Sequence, residues 1–166
     1  MENLYYRQAV RDDLDDLLSL YNRAIAYMRE NGNLNQWKDG EGPNRISLRQ
    51  DIDLGRLWIL EDKEGILAVF ALVFGREASY EQIEGDWLDD RLPYATIHRM
   101  ISSGRKSRIF DEVSRFCLSR HPNIRVDTHA DNRPMIRAIE RNGYSYCGVV
   151  TLEDGSERLA YQRIEG

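Results

Sequence analysis

The sequence predicts an α/β fold in which a mixed, mostly antiparallel central sheet carries helices on both faces. Segments with strand patterning and helix patterning follow one another along the 166 residues. The segment 66–74, ILAVFALVF, is apolar on both faces, as expected for a central strand that is covered on both sides. Turns with glycine at 62–65 and 153–156 each separate two strand-like segments and predict two hairpins.

The first half of the chain predicts one strand, two helices and the first hairpin. Strand-forming residues open the chain at 4–10, and an acidic turn at 11–13 then suits the start of a helix. Apolar residues at helical spacing give this helix a buried stripe of Leu14, Leu17, Leu18, Tyr21, Ile25 and Met28. Residues 33–44, rich in Gly, Asn and Pro, predict a loop. The remaining elements of this half are a helix at 46–54 and strands at 57–61 and 66–74.

The second half predicts strands and helices in alternation before a closing hairpin. A strand at 94–101 leads to a helix that begins at Ile109 and buries Ile109, Val113, Phe116 and Cys117. After a strand at 124–129, Asp131 or Asn132 caps a further helix, which Gly143 ends. The closing strands are 144–152 and 157–164.

The segment 76–91 is irregular and rich in carboxylates. One interpretation is a solvated acidic excursion between strands, and the other is a substrate loop that attracts a cation. Runs of charge usually face water, which favours the first interpretation.

Composition excludes several classes of protein and site. The 166 residues suit a single domain, and the net charge of −5 argues against nucleic acid as the main partner. No apolar run approaches the roughly 20 residues of a membrane helix, and the N-terminal sequence does not resemble a signal peptide. Cys117 and Cys147 have no close second ligand, so we expect no metal site, and two buried thiols suit a reducing cytoplasm.

The stretch 96–117 runs from a strand through a basic turn into a helix. Ser102, Ser103 and Gly104 form the turn, and the basic residues Arg105, Lys106 and Arg108 follow. Free N–H groups and the positive end of the helix dipole together attract phosphate. The pattern therefore favours a phosphate site, with a solvated basic turn as the alternative.

Two motifs in this order resemble the GNAT family of N-acetyltransferases over nearly the whole chain. One is the strand, basic turn and helix of 97–117, and the other runs from Asn132 to Gly143-Tyr144 and is similar to the pattern N-x-x-A-x-x-x-Y-x-x-x-G-F. The resemblance implies acetyl-CoA as acyl donor, an amine acceptor and direct transfer without a covalent acyl-enzyme.

The resemblance also implies which residues bind acetyl-CoA. The pantetheine arm would lie between the splayed strands 97–101 and 124–129 and contact the main chain of His98, Arg99 and Met100. The side chain of Asn132 would reach the pantetheine region. The pyrophosphate would bind the N–H groups of Arg105, Lys106, Ser107, Arg108, Ile109 and Phe110.

The chain departs from the family pattern at three places that matter for function. Arg108 stands where the first glycine is expected, and it can keep a helical φ if no positive φ is required. Phe110 replaces a small residue and either narrows the cofactor groove or turns into the core. Ile139 replaces a tyrosine that often protonates the leaving thiolate, so that role is vacant or filled elsewhere.

Acetyl transfer needs a base for the amine, an oxyanion donor near Met100, and an acid or other stabilisation for the thiolate. Candidate catalytic residues are Glu81, Tyr80, His98 and Tyr161. On charge grounds Glu81 is the favoured base, and Tyr80 or Tyr161 replaces the missing tyrosine acid. Asp127 and His129 share a strand face and either pair with each other or cap the next helix. Positioning of the two reactants alone is the remaining option.

We therefore expect a cytoplasmic N-acetyltransferase that acts on an amine of a small molecule or peptide. A GNAT-fold module that binds CoA or another ligand without acetyl transfer is the alternative, and a longer acyl group is a third possibility. The acidic segment suggests a cationic acceptor, such as a polyamine or an aminoglycoside-like molecule. No nucleic acid or membrane partner is expected, and the chain is a monomer or a homodimer.

Overall fold

The computed structural model describes residues 3–37 and 42–166, which form two compact units. The first unit comprises the described residues up to Leu72 together with His98–Ile109, and the second comprises Val73–Ile97 and Phe110–Gly166. The prediction of a single domain over residues 1–166 stays a prediction. Residues 38–41 of the predicted loop lie outside the described residues.

The order of elements is the predicted one, with one addition. In the described residues the chain forms β1 (Tyr5–Gln8), α1 (Leu14–Glu30), α2 (Arg45–Asp53), β2 (Leu57–Asp62), β3 (Gly65–Phe74), β4 (Glu84–Gly85), β5 (Ala95–Ser102), α3 (Ile109–Arg120), β6 (Asn123–Thr128), α4 (Arg133–Arg141), β7 (Ser145–Thr151) and β8 (Glu157–Ile164). Short 3-10 turns lie at Arg11–Asp13 and Ala78–Tyr80. The added element is β4, which lies in the segment predicted to be irregular.

The first unit is built around strand β3. Strand β2 pairs antiparallel with both β1 and β3, and the second half of β5 lies on the other side of β3. Residues Leu67–Leu72 of β3 are all buried, which confirms that this apolar strand is central. The buried face of α1 is formed by Leu14, Leu17, Leu20 and Tyr21.

The predicted stripe of α1 needs a correction. Leu18, Ile25 and Met28 are only partly buried, whereas Leu20, which was not predicted, is buried. The buried face of the helix is rotated toward Leu20, so Leu18 and Ile25 lie at its edge.

The second unit contains the parallel pairing. Three residues of β5, Ala95–Ile97, pair in parallel with Ile124–Val126 of β6. Strand β8 then pairs antiparallel with both β6 and β7, and β7 pairs antiparallel with β4. The prediction of a mixed, mostly antiparallel sheet is confirmed. Because β4 pairs with Gly148 and Val149, β7 is not an unpaired edge strand at those two residues.

None of the helices in the two described ranges is long and apolar enough to cross a membrane.

The pairing of β4 with β7 depends on close contact between two backbones. A Cβ atom on Gly148 would lie 2.1 Å from the carbonyl oxygen of Glu84, and one on Gly85 would lie 2.1 Å from that of Cys147. Only glycine fits at such a distance, which explains why a two-residue strand forms here.

We expect Gly148→Ala to lower the free energy of unfolding by about 2 kcal/mol or more, since it combines overpacking with a positive φ. Gly155→Ala is the matched control: its φ is also positive, at 86°, but no atom lies within 4 Å of the added Cβ. Chemical denaturation measures both variants. Equal losses would show that close contact at β4 is not the constraint.

Candidate active site

The predicted strand, basic turn and helix form as expected, and residues His98–Ile109 of this stretch belong to the first unit. Strand β5 ends at Ser102, whose Oγ accepts a hydrogen bond from the N–H of Gly104 at 3.1 Å. Helix α3 begins at Ile109. The first N–H groups of a helix have no acceptor within the helix, so this turn presents backbone donors at a positive helix end.

Arg108 holds the conformation of the glycine that it replaces. Its φ is 56°, in the left-handed region. The condition under which Arg108 could keep a helical φ is therefore not met, because the residue that joins the turn to α3 adopts a positive φ. Holding a side chain in this region costs about 1–2 kcal/mol. The side chain is exposed, and among the described residues it makes no ion pair.

The other two basic side chains of the turn are engaged by carboxylates. Nη2 of Arg105 lies 2.7 Å from Oδ1 of Asp62 and donates to the carbonyl of Gly65 at 2.9 Å, and Nη1 lies 3.4 Å from Glu64. Nζ of Lys106 lies 3.7 Å from Asp62. The hydrogen bond from Arg105 lowers the pKa of Asp62. Arg105 and Lys106 thus hold the basic turn against the hairpin turn between β2 and β3, an arrangement that the sequence did not predict.

Strand β5 contains a second left-handed arginine. Arg99 has a φ of 52°, and its guanidinium contacts the buried carboxylate of Asp51 through Nε at 2.6 Å and Nη2 at 3.0 Å. Its carbonyl accepts a hydrogen bond of 2.6 Å from the hydroxyl of Tyr21. This contact was not predicted from the sequence. The available indication was a carboxylate at Asp51, three residues after Leu48 on the apolar face of α2.

In the second unit, Tyr80 and Asp127 are brought together. The buried hydroxyl of Tyr80 donates a hydrogen bond to Oδ2 of Asp127 on β6. Burial and the neighbouring Asp127 carboxylate raise the pKa of Tyr80 well above its ordinary value. His129 instead contacts Asp131: its Nδ1 accepts a hydrogen bond from the Asp131 N–H at 3.0 Å. The alternative in which Asp127 and His129 pair with each other is therefore wrong.

A buried arginine fixes the acidic segment around Tyr80. The Arg125 side chain lies between the rings of Trp87 and Tyr94, at 3.9 and 3.8 Å from their centroids. The indole N–H of Trp87 donates to the carbonyl of Tyr80 at 3.2 Å. Aromatic residues therefore anchor the segment while most of its carboxylates remain exposed, as the solvated interpretation expects.

The remaining catalytic candidates lie in contrasting surroundings. Glu81 is exposed and contacts Arg76 through both carboxylate oxygens at 2.9 and 3.0 Å, which lowers its pKa. Tyr161 is buried beside the ring of Tyr146, and burial raises its pKa. His98 is partly buried on β5, directly after the last residue that pairs with β6.

One residue of the first family motif and two of the second have structural roles. Phe110 is buried with its ring 6.1 Å from that of Tyr144, so it turns into the core. Ile139 is fully buried and offers no proton. Asn132 caps α4 as predicted, its side chain accepting a hydrogen bond of 3.4 Å from the N–H of Met135.

No group of three or more His, Cys, Asp or Glu residues that could hold a metal ion is found in residues 3–37 and 42–166.

No family model matches the sequence, and no curated protein matches it. The structure is similar to that of a GNAT-family acetyltransferase from Streptococcus agalactiae, at 32% sequence identity and a TM-score of 0.90, over 98% of this chain and 96% of that one.

The chain belongs to the GNAT family of acetyltransferases.

Two further solved structures share the fold of this GNAT acyltransferase. A GNAT-family acetyltransferase from Listeria monocytogenes is 18% identical, with a TM-score of 0.74, over 97% of this chain and 94% of that one. A ribosomal-protein-alanine N-acetyltransferase from Brucella melitensis is 18% identical, with a TM-score of 0.62, over 96% and 99%.

The left-handed conformation of Arg108 predicts that glycine and alanine substitutions rank in opposite order of stability at Arg108 and at Arg115. We expect Arg108→Gly to be more stable than Arg108→Ala by about 1 kcal/mol, because only glycine adopts a positive φ without cost. At Arg115, inside α3, we expect the opposite order by about 1 kcal/mol, because alanine is the better helix former. Chemical denaturation of the four variants decides the matter, and the same order at both positions would contradict a left-handed Arg108.

Proposed function

We propose that this GNAT chain moves an acetyl group from acetyl-CoA directly to an amine of a small molecule or peptide. The observation that carries the proposal is the left-handed Arg108 immediately before α3, in a chain that belongs to this family. A positive φ at this point is the conformation for which the family pattern uses glycine. It supports a turn in which backbone N–H groups approach a phosphate closely.

The residues of the first unit suit acetyl-CoA in their chemistry. The main chain of His98, Arg99 and Met100 would contact the pantetheine arm, and the N–H groups from Arg105 to Phe110 would hold the pyrophosphate. The exposed guanidinium of Arg108 adds a charge that pairs well with phosphate.

Acetyl-CoA supplies an activated thioester, and the protein's part is to orient the amine and manage two protons. Tyr80 and Tyr161 are protonated at neutral pH and are the proposed acids for the leaving thiolate, although their raised pKa values make each a weaker proton donor than an ordinary tyrosine. Arg76 lowers the pKa of Glu81 and makes it a weaker base. His98, on β5, is the other proposed base.

A specific observation favours a second candidate, a GNAT-fold module that binds CoA without transferring acetyl. Ile139 is fully buried where the family often has a tyrosine acid, and the carboxylate of Glu81 is engaged by Arg76. Both features weaken the chemistry without affecting the proposed cofactor turn.

Thermal melting with acetyl-CoA, CoA and desulfo-CoA separates the two functions. We expect each ligand to raise Tm, since at a hundredfold excess over Kd a ligand stabilises the native state by about 2.7 kcal/mol. We also expect acetyl-CoA with a panel of primary amines to release free thiol. Binding without thiol release would support the inactive module. No shift in Tm at millimolar concentration would contradict the assignment of CoA itself.

We propose a cationic amine as the acceptor, because two carboxylates of the acidic segment remain available. Asp90 contacts Arg125 and Glu81 contacts Arg76. Glu84 and Asp86 are exposed, and within the described part of the chain they make no ion pair.

We expect the double variant Glu84→Gln, Asp86→Asn to raise KM for a polyamine severalfold, because two attractive charges are lost, while Kd for acetyl-CoA stays unchanged. Glu153→Gln, in the turn between β7 and β8, removes an exposed charge elsewhere and serves as the control. Steady-state kinetics at low salt measures the effect. An unchanged KM would remove these residues from acceptor recognition.

We also propose where the chain is located in the cell and how it assembles. The thiols of Cys117 and Cys147 are free and buried, which suits a reducing compartment, and acetyl-CoA as donor agrees with the cytoplasm. A monomer or a homodimer remains the proposed assembly.

A further inference from the structure

We propose that Asp51 is a positioning residue, which holds Arg99 in its left-handed conformation and so shapes β5 for acetyl-CoA. The inference rests on the proposed function, because it concerns the main chain of His98, Arg99 and Met100. It adds Asp51, a residue of α2 that lies outside both family motifs.

The contact between Asp51 and Arg99 is short and has two arms. Nε and Nη2 of Arg99 lie 2.6 and 3.0 Å from the two carboxylate oxygens of Asp51, whose side chain is 1% exposed. A paired contact of this kind fixes the plane of the guanidinium as well as its position. Nε of Arg56 completes the site at 2.6 Å from Oδ1, so the buried carboxylate contacts two cations.

The main chain of Arg99 is held from a second helix. The hydroxyl of Tyr21, on α1, donates a hydrogen bond of 2.6 Å to the carbonyl of Arg99. Tyr21 is fully buried, so its ring has little freedom to follow a movement of β5. The side chain and the carbonyl of one residue are therefore fixed by α2 and α1 respectively.

These contacts offset a backbone conformation that is unfavourable at Arg99. A φ of 52° inside a strand is rare for a residue with a side chain, and it interrupts the alternation of peptide directions. The interruption lies two residues after Ile97, the last residue of β5 that pairs with β6. The positive φ therefore lies where the proposed function needs main-chain groups that do not pair with β6.

Net stability is a poor explanation for this arrangement. Replacing a buried ion pair by apolar residues is often neutral or stabilising, whereas its charged groups fix geometry. Glycine at position 99 would reach the same φ with no partner at all. Glycine adopts a positive φ easily because it lacks a side chain. At Arg99 the ion pair with Asp51 stabilises the same φ in a residue that has one.

The decisive comparison is Arg99→Ala with Arg99→Gly, because both remove the same ion pair and leave Arg56 on Asp51. We expect Arg99→Ala to weaken CoA binding at least tenfold, measured by calorimetry, and Arg99→Gly to stay within threefold of the natural chain. Asp53→Asn is the control, because Asp53 lies on the same helix and pairs with Arg11 at the surface. We expect it to leave Kd unchanged.

Asp51→Asn tests the other residue of the ion pair. It also keeps the proposal testable if Arg99→Ala does not fold. We expect Asp51→Asn to weaken CoA binding at least tenfold in the natural chain and less than threefold in the Arg99→Gly background, where no side chain remains to be held. Equal losses in the two backgrounds, or equal affinities of the alanine and glycine variants, would overturn the proposal.

Hydrogen exchange without any ligand separates this inference from the proposed function. We expect the amides of residues 98–102 to exchange at least tenfold faster in Arg99→Ala and at the natural rate in Arg99→Gly. If the natural chain does not bind CoA, the proposed function fails and this comparison still decides the role of Asp51. Equal exchange rates in the two variants would overturn it.

Discussion

The candidate site of the first unit depends on the ion pairs that the buried carboxylate of Asp51 forms with two arginines. It contacts Arg99 and Arg56 at 2.6 Å each, so one side chain on α2 connects to β5 and to the residue before β2. Removing it would leave the donors of two partly buried arginines without their acceptor, which costs stability. The conformation of β5 is thus determined by a residue far from it in sequence.

Two arginines in the first unit, Arg99 and Arg108, adopt conformations that residues with side chains avoid. They are stabilised in different ways. Arg99 is held by its own side chain and carbonyl, whereas Arg108 follows a turn that Arg105 holds against Asp62. Unfavourable backbone conformations persist only where the surroundings fix them, and they concentrate at functional sites. Their presence on both sides of the basic turn agrees with a role for this stretch in binding.

Much of the fold was predictable because its elements have strong local patterns. The apolar strand at 66–74, the glycine turns of both hairpins and the cap at Asn132 are properties of neighbouring residues. Strand β4 was missed because a two-residue strand has no periodicity, and it depends on the contact between Gly85 and Gly148.

The candidate site was less predictable, because its side chains are fixed by long-range contacts. The sequence indicated the basic turn but did not show that Arg105 contacts Asp62, 43 residues away. The engagement of Tyr80 by Asp127 was equally hidden, since 47 residues separate them. At Arg108 the family pattern predicts the backbone conformation better than the residue type does. The family has glycine at this position, and the arginine here adopts the positive φ that glycine favours.

The proposed acetyl-CoA site consists mainly of the main chain of residues 98–110. Amide hydrogen exchange of the natural chain with and without saturating CoA, resolved to single residues, tests this assignment. We expect CoA to slow exchange most strongly at residues 98–101 and 105–110. Saturable binding with protection confined to other parts of the chain would contradict it.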